Sequence, residues 1–202
     1  MAARGRLAPQ PKPRPVAPQV KNASRIYITG ASCAGVTGMG RALAQRRSLA
    51  HVDVDDFRWD RMDHAFPRDH EECIDLVRRS LPSDRWVLTG PVEGWGDELL
   101  VTVDLIGFVV APTSVRLRRL LARDRERHGE RIAPDGDLHE AHMAAYRWAL
   151  RYDDPTSPGP NRLGQEEWLI PRESLVVRLD GTLSLNDSVD RLLTGLRRQA
   201  AF

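Results

Sequence analysis

The segment Gly30-Ala31-Ser32-Cys33-Ala34-Gly35-Val36-Thr37 has the two glycines and the terminal hydroxyl of the phosphate-binding pattern GxxxxGK[ST], with valine where the lysine belongs. In such a loop successive backbone N–H groups point inward at a helix N-terminus and hold phosphate oxygens, a task that needs glycine geometry more than any side chain. Residues Gly30, Ala31, Ser32, Cys33, Ala34, Gly35, Val36, Thr37 and Gly38 are therefore the candidate nucleotide-phosphate cradle, and the Thr37 hydroxyl the candidate Mg²⁺ ligand. Val36 offers no cation to the β- and γ-phosphates, and losing a group of that kind costs on the order of a hundred- to a thousandfold in rate. The only two lysines, Lys12 and Lys21, both precede the folded part, so cationic help must come from arginine.

Three further groups end strands in the same way. Asp53-Val54-Asp55-Asp56 places three carboxylates after a short strand, where Asp53 or Asp55 can take the proton of an attacking hydroxyl, Asp55 can hold magnesium and Asp56 can meet the acceptor. Leu88 to Asp97 is a strand running into Gly90-Pro91 and Gly94-Trp95-Gly96, where Trp95 can stack on a planar acceptor and Glu93 and Asp97 can bind its polar edge. Arg116, Arg119, Arg123 and Arg127 fall on one helical stripe that can present guanidinium forks to a polyphosphate. His139 and His142 share a helix face without a third ligand and read as surface residues. Thr29-Gly30-Ala31-Ser32 also opens nicotinamide-binding loops of the TGxxxGxG kind, but Ala34 and Val36 stand where that pattern needs glycine.

The elements that position these groups alternate as strands and helices, the pattern of a parallel sheet covered on both faces. Ile26–Thr29, His51–Asp53, Trp86–Thr89, Leu105–Val110 and Leu175–Leu179 read as five strands. Met39–Leu49, Glu71–Leu81, Ser114–His128, Leu138–Arg151 and a last helix through Leu196 carry apolar residues at helical spacing. Cys73, Leu76, Val77 and Leu81 form the buried side of the second of these, and Thr113 and Ser184 can cap the third and the last. Pro82 helps to end the second helix.

Residues 1–24 hold five basic residues, no acid and prolines at 9, 11, 13, 15 and 18, and read as a disordered tail before a domain spanning 25–202. The chain carries a formal charge of +2, and without that tail 25 basic residues face 28 acidic ones, about −3, which argues against a nucleic-acid face. The 202 residues suit one α/β domain. No apolar run approaches the ~20 residues of a membrane helix. Cys33 and Cys73 lie in unlike contexts with no CxxC spacing and no signal peptide, the pattern of free thiols in a reducing, cytoplasmic compartment.

Ile28-Thr29-Gly30-Ala31-Ser32 followed by Gly35, Thr37 and Gly40, then His51 to Phe57, then Gly94-Trp95-Gly96-Asp97, resembles the adenylate-kinase-related P-loop proteins of bacteria, from Arg25 to the last helix. Many members of that group also lack the P-loop lysine. Cys33, Val36 and Gly38 depart from it, standing where glycine, threonine and threonine are usual. The resemblance implies a three-layer α/β P-loop fold, a five-stranded parallel sheet in the order 2-3-1-4-5, and a helical lid at about 129–164. It further implies that Arg119, Arg123 and Arg162 stabilise a transferring phosphoryl group, with ATP or GTP and Mg²⁺ as cofactors. The strand end at 88–97 lacks the arginine that adenylate kinases use for an acceptor phosphate, which favours a neutral hydroxylated acceptor. The expected activity is phosphoryl transfer to a small hydroxylated metabolite, nucleoside or nucleotide, supported by the intact acids and arginines. The alternative, a non-catalytic nucleotide-binding sensor or scaffold, is favoured by Cys33 and Val36.

Overall fold

The computed structural model describes residues 23–59 and 67–199, with side chains through residue 194. The tail expected at 1–24 lies outside the described residues up to position 22. Ala23 is buried, and the Ser24 and Arg25 backbone N–H groups donate to Asp104 Oδ2 at 3.0 and 2.9 Å.

Strands β1 (Arg25–Gly30), β2 (Ala50–Asp53), β3 (Trp86–Thr89), β4 (Leu105–Val110) and β5 (Val176–Asp180) form one parallel sheet in the order β2-β3-β1-β4-β5. The central strand β1 pairs with β3 from Arg25↔Trp86 to Ile28↔Thr89, and with β4 from Ile26↔Leu105 to Gly30↔Val109. Strands buried on both faces need apolar residues at every position, with alternate side chains going to opposite sides. Ile26, Ile28, Val87, Leu105, Val109 and Leu179 accordingly join one core layer, while Tyr27, Trp86, Leu88, Ile106 and Phe108 join the other.

The helices are α1 (Val36–Arg47), α2 (Asp55–Arg58), α3 (His70–Ser80), α4 (Thr113–His128), α5 (His139–Leu150), α6 (Arg162–Leu169) and α7 (Leu185–Gln199). The first core layer lies under α1 and α7, through Met39, Leu43, Val189 and Leu192. Cys73, Ile74 and Val77 of α3 and Leu169 of α6 complete the second. Asp69 starts α3 by accepting from Glu71 N at 2.8 Å, and Leu81 adopts the extended conformation that a following proline imposes.

Two caps were expected. Ser184 Oγ does accept from Asp187 N at 3.2 Å at the start of α7. Thr113 is instead the first residue of α4, behind Pro112, and its hydroxyl bonds Asp153 and Arg116. Leu76 and Leu81 are only partly buried, and Ile74 takes the place expected of them in the core. Position 196, expected on the apolar face of α7, lies beyond the described side chains.

Candidate active site

Because all five strands run the same way, the chain leaves each of them at one edge of the sheet, and ligand crevices form outside that edge. The loop after β1 turns there, with Ala34 N donating to Ala31 O at 3.0 Å and Met39 N to Gly35 O at 2.9 Å as α1 begins. Gly30 has φ +149, and a Cβ on it would stand 2.3 Å from the Val109 carbonyl oxygen, so only glycine lets β1 and β4 pair at this point. Cys33 sits at φ 60, the left-handed region that glycine takes readily and a thiol-bearing residue takes under strain. Its side chain packs against the cluster of Leu117, Leu120 and Ala149. Ala31 and Ala34 are buried, and Gly38 lies beneath the Leu185 side chain. Val36 packs against the core layer under α1 and α7.

Thr37, in the first turn of α1, has no side-chain hydrogen bond among the described residues and keeps its hydroxyl available. No group of three or more His, Cys, Asp or Glu side chains arranged to hold a metal occurs among the described residues. A Mg²⁺ ion at this edge would rest on one or two protein oxygens, with phosphate and water completing its shell, the usual arrangement for that ion. Thr37 and Asp55 are of the right chemistry for this.

The acids after β2 come together with the loop after β3 in a cavity of about 490 Å³. Asp55, Arg58 and His70 line one side, Glu93 and Trp95 another, and Gln165 and Trp168 of α6 a third. Asp53 is buried behind this wall, its Oδ1 accepting from Asp55 N at 3.2 Å. Partial desolvation first, and then the like charges of Asp53 and Asp56, push the Asp55 carboxyl above its ordinary range, with Arg123 pulling the other way. Asp56 is exposed and is not part of the cavity wall. A larger groove, about 820 Å³, lies between α4 and α5 around Leu117, Leu121 and Tyr146, and none of these acids reaches it.

Glu93 is held at the end of β1. Its Oε1 accepts from the buried Thr29 hydroxyl and from Gln165 Nε2 at 3.1 Å, and Gln165 Oε1 in turn accepts from Tyr152 at 2.5 Å. Burial pushes the Glu93 carboxyl up against the opposing effect of those donors. Tyr27, buried alongside, donates to Gly90 O at 2.8 Å and accepts from Val92 N at 3.1 Å, which fixes the turn that carries Glu93. Burial, and then the nearby Glu93 charge, raise the Tyr27 phenol well above its ordinary value.

Trp95 does not present a vacant stacking surface. His70 stacks on it at 4.7 Å, the Arg58 guanidinium lies 5.5 Å from its centroid, and its Nε1 donates to Pro91 O at 3.2 Å. Asp97 lies outside the cavity wall, where it accepts from Trp168 Nε1 at 2.9 Å and pairs with Arg172 at 3.0 Å, tying the loop after β3 to α6.

The arginine stripe separates by burial. Arg119 crosses to the phosphate loop and donates to the carbonyls of Ala34 at 3.1 Å and Cys33 at 3.5 Å. Arg123 is half-buried and paired with Asp124 at 2.9 Å. Arg162, at the start of α6, is exposed and pairs with Glu166 at 3.4 Å. Arg127 is exposed. Arg116 points inward, wholly buried, donating to Ala111 O, Ala149 O, Thr113 Oγ1 and Asp153 Oδ2, so it has no free face for a polyphosphate. His142 is likewise buried rather than on the surface, its Nδ1 2.9 Å from Asp124 Oδ2, while His139 is partly buried with Nδ1 3.1 Å from Ile132 O.

Thr29, Tyr27, Tyr152 and Gln165 were not singled out from the sequence. The one available signal was the tyrosine in a fully apolar strand, since a buried phenol needs a polar partner. Gln165 gave none, because its partners Thr29 and Glu93 lie 136 and 72 residues away and Tyr152 13.

A five-stranded parallel sheet in this order, with a glycine loop leading from its central strand into a helix, defines the P-loop kinase fold. Solved structures share it. A gluconokinase from Sinorhizobium meliloti 1021 matches with a TM-score of 0.52 at 17% identity, over 89% of this chain and 94% of its own. Shikimate kinase from Bacteroides thetaiotaomicron matches with a TM-score of 0.54 at 18% identity, over 86% and 98%. No family model matches the chain. In sequence, the uncharacterized protein YqaC of Bacillus subtilis (strain 168) is 32% identical over 170 residues, which is 83% of this chain and 94% of that protein. The chain belongs to the YqaC family. No helix among its described residues is long and apolar enough to cross a membrane.

Proposed function

We propose that this protein is an ATP- or GTP-dependent kinase, kin to the adenylate-kinase-related group, that transfers a phosphoryl group to a small hydroxylated acceptor held in the 490 Å³ cavity. The observation that carries this reading is the meeting of three parts at one sheet edge: a glycine loop at a helix N-terminus, an arginine lying across that loop, and a cavity walled by two acids.

The backbone amides of residues 31–37 hold the nucleotide phosphates, and Arg119 supplies beside that loop the positive charge that Val36 lacks. Asp55, or Asp53 behind it, takes the proton from the acceptor hydroxyl as that oxygen bonds the γ-phosphorus. The bond from phosphorus to the bridging oxygen breaks, and the nucleoside diphosphate leaves with that electron pair. Thr37 and Asp55 would hold Mg²⁺, which supplies charge neutralisation between the phosphate oxygens. Arg123 and Arg162 are assigned to the transferring group. The helical stretch 129–164 serves as the lid, with its loop at Gly159–Asn161 forming one rim of the cavity.

Calorimetric titration of the purified protein with ATP and GTP, with and without Mg²⁺, tests this beside a Thr37→Ala variant whose fold is checked by circular dichroism. Magnesium-dependent binding that Thr37→Ala weakens supports the assignment. No heat at millimolar nucleotide refutes it, and leaves a phosphate-loop fold kept for another purpose.

A further inference from the structure

One oxygen of Glu93 is fully committed and the other is not. Oε1 takes both the Thr29 hydroxyl and Gln165 Nε2, whereas no hydrogen bond among the described residues reaches Oε2. No side-chain nitrogen or oxygen among those residues is sealed from solvent without a partner. Since Glu93 lines the cavity, Oε2 opens into it. The carboxyl cannot turn away without breaking contacts that are themselves fixed, because Gln165 also lies 3.3 Å from Thr29 Oγ1 and accepts from Tyr152.

The charge that faces an occupant follows from the other lining residues. Among the described residues, both lining side chains able to bring positive charge are turned to the walls: Arg58 donates to Arg68 O at 2.6 Å and lies over Trp95, and the His70 ring stacks on the same indole. Val54, Pro91 and Trp168 add apolar wall. Asp55 and Glu93 are left to meet the ligand.

We propose, resting on the reading of this cavity as the acceptor site, that the acceptor is a polyol of the sugar or alditol class that bears no acidic group. It carries one hydroxyl that receives the phosphoryl group beside Asp55 and a second that bonds Glu93 Oε2. A carboxylated or phosphorylated acceptor meets the like charges of Asp55 and Glu93. A fixed carboxyl oxygen that must find a partner rejects occupants without a hydroxyl at that point, since its desolvation then goes uncompensated.

Two sets of probes, each on one six-carbon skeleton, test this on the full chain by saturation-transfer NMR and calorimetry. They are D-glucitol and D-gluconate, and D-glucose and D-glucuronate. In at least one set the neutral member binds about tenfold or more tighter than the carboxylate, the order expected for one like-charge contact. Glu93→Gln keeps the shape and removes the charge, so it narrows the gap between neutral and carboxylate members several-fold while leaving the MgATP heat unchanged. Tighter or equal binding of the carboxylate member in both sets overturns the proposal, as does no binding by any of the four at tens of millimolar, or an unaltered ratio in Glu93→Gln. Selective polyol binding without any nucleotide heat sinks phosphoryl transfer and leaves the polyol assignment standing.

Discussion

Arg116 offers the sharpest test of how the arginines divide between scaffold and site. Arg116→Met keeps the aliphatic bulk and removes every polar contact. The carbonyls of Ala111 and Ala149, now bonded at 3.3 and 3.1 Å, lose a donor inside the protein, at about 1–3 kcal/mol for each group left unsatisfied. The guanidinium also lies 4.8 Å from the centroid of Tyr152, a desolvated cation–π contact of roughly 1–2 kcal/mol. Asp153 is 39% exposed and keeps the Thr113 hydroxyl, so its loss adds little. The expected total is about 3–8 kcal/mol. For a chain of this size that is a fall of roughly 6–30 °C in Tm. Urea denaturation and thermal melts read it directly, with Arg119→Met as the control that melts within about 1 kcal/mol of wild type because its half-buried side chain crosses the loop rather than the core. An Arg116→Met protein as stable as wild type but poor in nucleotide binding would refute the division.

Arg119→Ala should weaken MgATP binding about tenfold in calorimetry, the order expected for one charge-assisted contact, with little change in Tm. Glu93 titrates above its ordinary range, so its contribution to stability is complete below the unfolded-state value and is lost as pH rises through the folded one. Glu93→Gln should therefore gain Tm over wild type as pH rises above about 4. Asp104 runs the opposite way: burial would raise it, but the Arg25 side chain and the Arg25 and Ser24 amides together hold it low. Its contribution is present above the ordinary aspartate range and is lost as pH falls through the depressed value, so the Tm deficit of Asp104→Asn should vanish in acid, toward about pH 2. Gly30→Ala should lose more than about 3 kcal/mol or fail to accumulate as folded protein, measured by soluble yield and urea midpoint, because the new Cβ meets a backbone oxygen that cannot give way.

Strands β3 and β4 were legible to the residue, because a fully apolar run stopped by glycine or proline admits few other readings. Helix α1 starts three residues before the position its apolar spacing suggests, since the loop itself, through Gly35, supplies the helix start. Helix α6 was not visible at all: its buried face is Gln165 and Leu169, too small a pattern to show a period. The same limit hid the direction of Arg116 and His142. Helical spacing says which residues share a face, but not whether that face meets solvent or a carbonyl of α5 and an aspartate on α4. The acids and the glycine loop were legible because they end strands, where parallel topology alone gathers them. Trp95 and Asp97 sit at the same edge, yet their ring and carboxylate are spent on His70, Arg58, Trp168 and Arg172, partners that only tertiary contact reveals.

The valine in the phosphate loop bears on how this lineage can change. Its side chain is part of the packing under α1 and α7, and the turn after β5 presses on the same loop so closely that a Cβ on Gly181 would stand 2.5 Å from the Ala34 carbonyl oxygen. A lysine at position 36 would have to leave that apolar contact or bury its own ammonium, and Arg119 already holds the adjacent ground. Placing a cation at position 36 is thus no single-step improvement: it opens a hole and adds a like charge before it helps. With its charge settled on a neighbouring helix and its packing on position 36, the loop is closed to that exchange by any one substitution.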